Sequence, residues 1–100
     1  MIIDHSTTDK LINGMLADRR LSPSAFRVGV WLAVYMARSA APVADPSIAE
    51  IAEELHISAR YTSSCLAQLR KAGWVTWVRP NRQTTNEYRF DLLNIGRGTQ

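Results

Sequence analysis

The sequence predicts a mainly α-helical domain that closes with a small β-hairpin, an α+β fold. Before residue 74, apolar residues recur at helical spacing in four segments, and polar capping residues precede them. After Gly73, apolar and polar residues alternate in two short runs, which is typical of strands. One hundred residues suffice for a single domain with one modest core. We expect that core to span about residues 9–92 of a domain covering 1–100, with 93–100 as a loose tail.

The first helix is predicted from about Asp9 to Ala17. The residues Ser6 to Thr8 are candidate caps, because their hydroxyl groups can accept the free amide hydrogens of a first turn. One apolar stripe at helical spacing is formed by Leu11, Ile12, Met15 and Leu16.

The second helix, 23–38, is the clearest in the chain. Ser22 can cap it, and Pro23 suits the first helical position, where its missing N–H costs nothing. The segment from Phe26 to Met36 is apolar around nearly the whole circumference, and such a helix must be buried on every face. We therefore expect a homodimer through helix 23–38. The alternative is that the first helix and the hairpin cover it within one chain.

Two short helices follow a proline-rich connection, 40–46, in which Val43 is a candidate for one short strand. Ser47 and Glu50 form a capping box for helix 47–55. Ser58 caps the next helix, 58–72, which ends at Gly73, the residue that best tolerates a left-handed turn. Only His56 and Ile57 separate the two helices, so a tight turn is required there.

The hairpin is predicted from strands 74–80 and 86–92, joined by the polar loop 81–85. In the second strand Tyr88, Phe90 and Leu92 alternate with charged residues, which indicates a half-buried strand. Trp74 and Trp77 are interpreted as core residues in preference to a platform for stacking nucleic-acid bases.

The segment "PSIAEIAEELHISARYTSSCLAQLRKAGWV" resembles the winged helix-turn-helix family. The preceding "LSPSAFRVGVWLAVY" is similar to the helix before this motif in phage and plasmid replication-initiator domains and related small regulators. The resemblance implies that helix 58–72 is a recognition helix for the major groove of double-stranded DNA and that the hairpin is a wing. The chain departs from the pattern at His56, where Gly is usual, and at Thr62, where Val or Ile is usual.

Charge also favours a polyanionic partner. Residues 1–56 hold five Lys or Arg and seven Asp or Glu, whereas residues 57–100 hold seven Lys or Arg and two acidic residues. A basic half of a small chain is typical of nucleic-acid binding, although a merely solvated basic surface has the same composition.

With Thr62, Cys65, Leu66 and Leu69 inward, the opposite face of helix 58–72 is the predicted contact surface. Arg60 is the first candidate for reading guanine, and Gln68 could bond adenine. Tyr61 could contact phosphate or stack on sugar, and Ser63 and Ser64 could reach a base or a phosphate only if the helix sits deep in the groove. The predicted DNA-binding residues on this helix are Ser58, Ala59, Arg60, Tyr61, Ser63, Ser64 and Gln68. For each, a plain solvated side chain is the alternative.

The wing, 79–86, adds Arg79, Arg82 and Gln83 as predicted contacts with the DNA backbone or the minor groove. Phosphate contact is expected for Arg82. Arg79 could instead pair with Glu87 or Asp91 across the hairpin.

Other classes of function find little support in the sequence. It has no glycine-rich phosphate loop, HExxH motif or nucleophile elbow, so we expect no enzyme and no cofactor. Cys65 is the one cysteine and is expected in the core, and His56 lacks the neighbours of a metal ligand. No apolar stretch could span a bilayer, and the start "MIIDHSTTDK" lacks a basic secretory region, so a cytoplasmic protein is expected.

The leading hypothesis is a dimeric, sequence-specific regulator of transcription, most simply a repressor. A replication or partition factor of a plasmid or phage would use the same DNA contacts. A winged-helix module that binds protein is the alternative of a different class.

Overall fold

The computed structural model describes residues 5–39, 44–81 and 85–91. Within these ranges the elements are α1 (His5–Ala17), α2 (Pro23–Ser39), α3 (Ile48–Leu55), α4 (Ala59–Lys71), β1 (Val75–Val78) and β2 (Glu87–Phe90). The two strands form an antiparallel sheet in which Val75 lies opposite Phe90 and Val78 opposite Glu87. The mainly helical α+β class is therefore confirmed. None of the helices in the described ranges is both long enough and apolar enough to cross a bilayer.

The start of α1 differs from the prediction. The helix begins at His5, so Ser6 to Thr8 are helical residues and not caps. The reason is tertiary packing: Thr8, Leu11 and Met15 share one face at helical spacing, and all three are buried. Leu16, predicted on the apolar stripe, is 67% exposed, because it points away from that face.

The long helix α2 has two apolar faces with different surroundings. Its start is as predicted, since the hydroxyl oxygen of Ser22 accepts the amide hydrogen of Ala25 at 3.1 Å. The fully buried face consists of Ala25, Val28, Gly29, Leu32, Ala33 and Met36. The other apolar face, which includes Trp31 and Val34, is only half-buried. The described residues of one chain thus bury one face of this helix fully and the other only in part.

The turn between α3 and α4 is built from paired caps. The Ser47 hydroxyl accepts from the Glu50 amide at 3.0 Å, and the Glu50 carboxylate accepts from the Ser47 amide at 3.2 Å, which confirms the capping box. His56 adopts a left-handed conformation with φ of 57°, and the amide of Ile57 donates to the Ala52 carbonyl at 3.0 Å. This bond is the outer one of a Schellman motif.

α4 begins directly after that turn and ends in a second left-handed residue. Its buried face is the predicted one: Thr62, Cys65, Leu66 and Leu69. The Thr62 hydroxyl donates to the carbonyl of Ser58 at 2.9 Å, so the polar group inside the core is satisfied. Gly73 follows with φ of 86°, and the Trp74 amide donates to the Leu69 carbonyl at 3.0 Å. The chain therefore turns from α4 directly into the hairpin.

The hairpin is joined to the helices by its aromatic residues. Trp74 is 2% exposed, and its indole N–H donates to Oδ2 of Asp18 at 2.7 Å. Trp77 is half-buried against the core and lies 5.5 Å from the ring of Tyr88. Both tryptophans are core residues, as predicted.

A further segment pairs with β2 through one residue. Ala44 and Tyr88 exchange backbone hydrogen bonds of 3.0 and 2.7 Å in an antiparallel bridge. The strand residue expected here, Val43, lies outside the described residues, as does Leu92 at the end of the second predicted strand.

The left-handed turn at His56 leads to a first prediction. Replacement of His56 by Gly removes a Cβ that is unfavourable at positive φ, whereas replacement by Ala retains it. We expect His56→Gly to be more stable than His56→Ala by about 1 kcal/mol. The measurement is the free energy of unfolding in urea, and equal stability of the two variants would contradict the turn geometry.

The Asp18 carboxylate leads to a second prediction. Hydrogen bonds from the Arg20 guanidinium and the Trp74 indole hold its pKa at about 2, below the ordinary 3.8, although burial acts in the opposite direction. Asp18→Ala leaves the buried indole N–H without its acceptor, and we expect a loss of about 1–3 kcal/mol of stability at neutral pH.

The same carboxylate gives a pH dependence. A depressed pKa stabilises the folded state above the unfolded value, so this contribution is present above the ordinary pKa of 3.8 and is lost as the pH falls through about 2. The matched control is Asp18→Asn, which keeps an oxygen acceptor for Trp74 but cannot titrate. The free energy of unfolding in urea should fall more steeply over this pH range for the native protein than for Asp18→Asn.

Candidate nucleic-acid interface

The outward side of α4 carries a stripe of exposed residues. Arg60, Ser64, Ala67 and Lys71 are spaced i, i+4, i+7 and i+11, so they share one face, and all four are exposed. We call these four residues the α4 stripe. In the part of the chain that the structure describes, Arg60 makes no hydrogen bond or ion pair.

The predicted contact residues lie on this side of α4 with one exception. Ser58, Ala59, Ser63 and Ser64 are exposed, and Tyr61 is 46% exposed at the edge of the same surface. Ser58 serves as the N-cap, because its hydroxyl accepts from the Tyr61 amide at 3.0 Å. Its hydroxyl oxygen is therefore already used in capping the start of the helix.

Gln68 is the exception. Its side chain is half-buried, and its Oε1 accepts the amide hydrogen of Ser22 at the start of α2. This bond joins α4 to α2 and uses the amide oxygen that an adenine contact would need. The structure gives Gln68 a role in positioning α4, which no spacing rule in the sequence indicates.

The last turn of α4 holds the hairpin in place through Arg70. The guanidinium carbon lies 4.2 Å from the centre of the Trp77 ring, and Nη2 donates to the Trp77 carbonyl at 3.4 Å. The cation therefore stacks on β1 and bonds its backbone at the same time. This contact adds to the buried Trp74 side chain and the Trp74–Leu69 backbone bond, which also hold the hairpin beside α4.

The hairpin itself is described only in part. Arg79 follows β1 and is exposed, and the neighbouring Val78 is 58% exposed. Arg82 and Gln83, predicted as contacts at the tip of the wing, lie outside the described residues.

The positive side chains of α4 and the negative side chains of α3 lie on different surfaces. Arg60, Arg70 and Lys71 are the charged residues of α4, which contains no carboxylate. Three exposed glutamates, Glu50, Glu53 and Glu54, lie on α3. The glutamates border a groove beside α2 that no residue of α4 lines. The α4 stripe thus presents positive charge without an acidic neighbour on its own helix.

Two residues of this surface were missed by the sequence analysis. Arg70 and Lys71 are cations in the last turn of α4, where they suit the helix dipole. Lys71 is also three turns from Arg60 on the same face, and helical spacing alone could have revealed it. The stacking of Arg70 on Trp77 could not have been found this way, because it joins two elements across a turn.

The described residues contain no group of three His, Cys, Asp or Glu side chains that could hold a metal ion. Cys65 is buried, and burial raises the pKa of its thiol, so the thiol stays protonated at neutral pH. Cys65 is a packing residue, as predicted.

No protein-family model matches this chain, and no curated protein or solved structure is significantly similar to it. The resemblance to the winged helix-turn-helix family therefore depends on the residues of α3 and α4 and on the order of helices and strands.

Proposed function

We propose that this protein binds double-stranded DNA in a sequence-specific manner, with α4 in the major groove and the hairpin against the backbone or minor groove. The observation that carries the proposal is the α4 stripe, which places Arg60 and Lys71 at the two ends of a face otherwise formed by the small residues Ser64 and Ala67. A guanidinium fork matches the two acceptors of guanine, whereas a lysine acts as a point charge towards phosphate.

The size of the side chains supports this docking mode. Ser63, Ser64 and Ala67 are short, so the backbone of α4 can approach the floor of a groove closely. Arg60 lies in the first turn of the helix, and the N-terminal part of a recognition helix is the part that reaches base edges. Direct reading of bases is therefore assigned to Arg60, with Ser64 beside it.

The hairpin supplies the second contact. Arg70 holds β1 beside the end of α4, and the chain continues from there to Arg79 and Arg82. Cations in such a loop neutralise phosphates along the duplex, which increases affinity for all sequences alike. Arg79 and Arg82 belong to this group in the proposal.

The biological role that follows most simply is repression of transcription, in which the bound domain blocks polymerase. A replication or partition factor would use the same contacts at repeated origin sites. Selection of bound fragments from the source genome separates the two, because promoters and iterated repeats have different positions and numbers of sites.

The first prediction for this interface concerns Arg60. After a preferred duplex has been selected from a random pool, Arg60→Ala should lose about 1–3 kcal/mol of binding free energy and relax the preference at one base position. Lys71→Ala and Arg82→Ala should instead weaken binding to all duplexes and reduce the salt dependence by about one phosphate contact each. Fluorescence anisotropy in a salt series measures both effects.

The matched control is Lys10→Ala, which removes an exposed positive charge from α1. It changes the net charge as Lys71→Ala does but leaves α4 and the hairpin intact. If Arg60→Ala and Lys71→Ala bind DNA as Lys10→Ala does, the α4 stripe is not the docking face.

The second prediction concerns Arg70. Arg70→Lys keeps the charge but loses the planar group that stacks on Trp77, a contact worth about 0.5–1 kcal/mol at an exposed site. We expect weaker binding to every duplex without a change in base preference, because the hairpin loses its support. Binding equal to that of the unaltered protein would show that Arg70 contributes charge alone.

A further inference from the structure

An open apolar groove runs along the half-buried face of α2. Phe26, Val30, Trp31, Val34 and Tyr35 form its floor. These residues recur at i, i+4, i+5, i+8 and i+9, so they follow one side of the helix for about two and a half turns. Its volume is about 970 Å³. A half-buried apolar strip along one helix face is a candidate site of contact with another molecule.

The groove floor is prearranged by aromatic contacts. The rings of Trp31 and Tyr35 are 5.3 Å apart in a tilted arrangement, and the Tyr35 hydroxyl donates to Asp45 at 3.4 Å. Burial, with the nearby carboxylates of Asp45 and Glu50, raises the pKa of Tyr35, so its hydroxyl stays protonated at neutral pH. Tryptophan, tyrosine and arginine are the residues that most often dominate the energetics of protein interfaces.

Charged residues border the groove in an ordered way. Arg27 and Arg38 lie at the two ends of the strip on α2, about 16 Å apart along the helix by its rise per residue. The opposite wall is formed by the glutamates of α3, including Glu53 and Glu54. The α2 side of the groove thus carries positive charge at its two ends, and the α3 side carries negative charge.

The direction of α3 relative to α2 follows from two contacts. Arg27, near the start of α2, donates through Nη2 to the carbonyl of Leu55 at the end of α3, at 3.3 Å. Glu50, in the first turn of α3, is close enough to Tyr35 in the second half of α2 to raise its pKa. The two helices therefore run in opposite directions, and each end of the positive strip faces a defined part of the negative wall.

We propose that the groove is the interface of an isologous homodimer, occupied by α2 of a second copy of this chain. Charge complementarity identifies the occupant. A two-fold axis parallel to α2 places the α2 strip of each copy opposite the α3 wall of the other. Arg27 and Arg38 at the ends of each strip then face the partner's glutamates, while the apolar residues between them enter the partner's groove.

The alternative two-fold arrangement is unfavourable. An axis perpendicular to α2 places α2 on α2 and α3 on α3. The glutamates of the two copies would then oppose each other, as would the arginines, and like charges in an interface oppose association. The groove therefore specifies a parallel pairing of the two α2 helices.

This inference does not require DNA binding, because α4 contributes no residue to the groove. When both hold, the dimer presents two α4 stripes related by a two-fold axis. The preferred DNA site is then a pair of inverted half-sites. The oligomeric state is measured without DNA, so failure of the dimer and failure of DNA binding are observed separately.

The first test is multi-angle light scattering of the free protein over the micromolar range. We expect a monomer–dimer equilibrium, and Val34→Asp should raise the dissociation constant by more than about tenfold, since it buries an unpaired carboxylate in the interface. The matched control is Leu16→Asp, which adds the same charge at an exposed apolar residue of α1 outside the groove. It should dimerise as the unaltered protein does.

The second test exchanges the charges of the two walls. One variant carries Glu53→Arg and Glu54→Arg, and the other carries Arg27→Glu, so that Arg38 and Glu50 keep their charges in both. Each alone places like charges between residue 27 of one copy and residues 53 and 54 of the other, so each alone should be monomeric. Mixed in equal amounts they should form a one-to-one dimer, because every facing pair is then opposite in charge. Native mass spectrometry identifies that species.

Two results would overturn the proposal. The first is a native protein that stays monomeric throughout the micromolar range, which would leave the groove to a different protein or to another part of this chain. The second is a dimer that survives Val34→Asp or a charge-exchanged pair that fails to associate, which would place the interface elsewhere or in another orientation. Circular dichroism of each variant shows whether the helices remain folded.

Discussion

The close meeting of three helices at Gly29 is the contact on which the rest of the structure depends. A Cβ at this position would lie 2.5 Å from the sulfur of Met15 on α1 and 3.1 Å from Cδ2 of Leu69 on α4. The absent side chain therefore allows α1 and α4 to pack on α2 at the same point. Because α4 is seated there, its opposite side must face outward, and the α4 stripe is exposed as a consequence.

Two left-handed residues then determine where the chain goes on each side of α4. His56 reverses the chain after α3, and Gly73 reverses it after α4, each through backbone bonds that close the preceding helix. Glycine accepts this conformation freely, whereas histidine adopts it at a cost in free energy. The fold accepts that cost at His56 because only His56, Ile57 and the capping residue Ser58 connect α3 to α4.

The two proposed surfaces belong to different helices and carry different charges. The α4 stripe contains cations and small residues, as a ligand with many phosphates requires. The groove beside α2 combines an apolar floor with both signs of charge, as contact with an identical surface requires. Packing of α4 on α2 connects them rigidly, so association through α2 would set the distance between two α4 stripes. The distance between the two α4 stripes of a dimer would then match one particular spacing of half-sites on DNA.

The sequence by itself determined the local elements, because caps, helical periodicity and strand alternation act over a few residues. The capping box at Ser47, the turn at His56 and the buried face of α4 are all readable from spacing. Tertiary structure decided what depends on distant neighbours: the earlier start of α1, the half-covered face of α2 and the bond between Gln68 and Ser22. The stacking of Arg70 on Trp77 was also visible only in the tertiary structure, because a contact between two different elements produces no periodic pattern in the sequence.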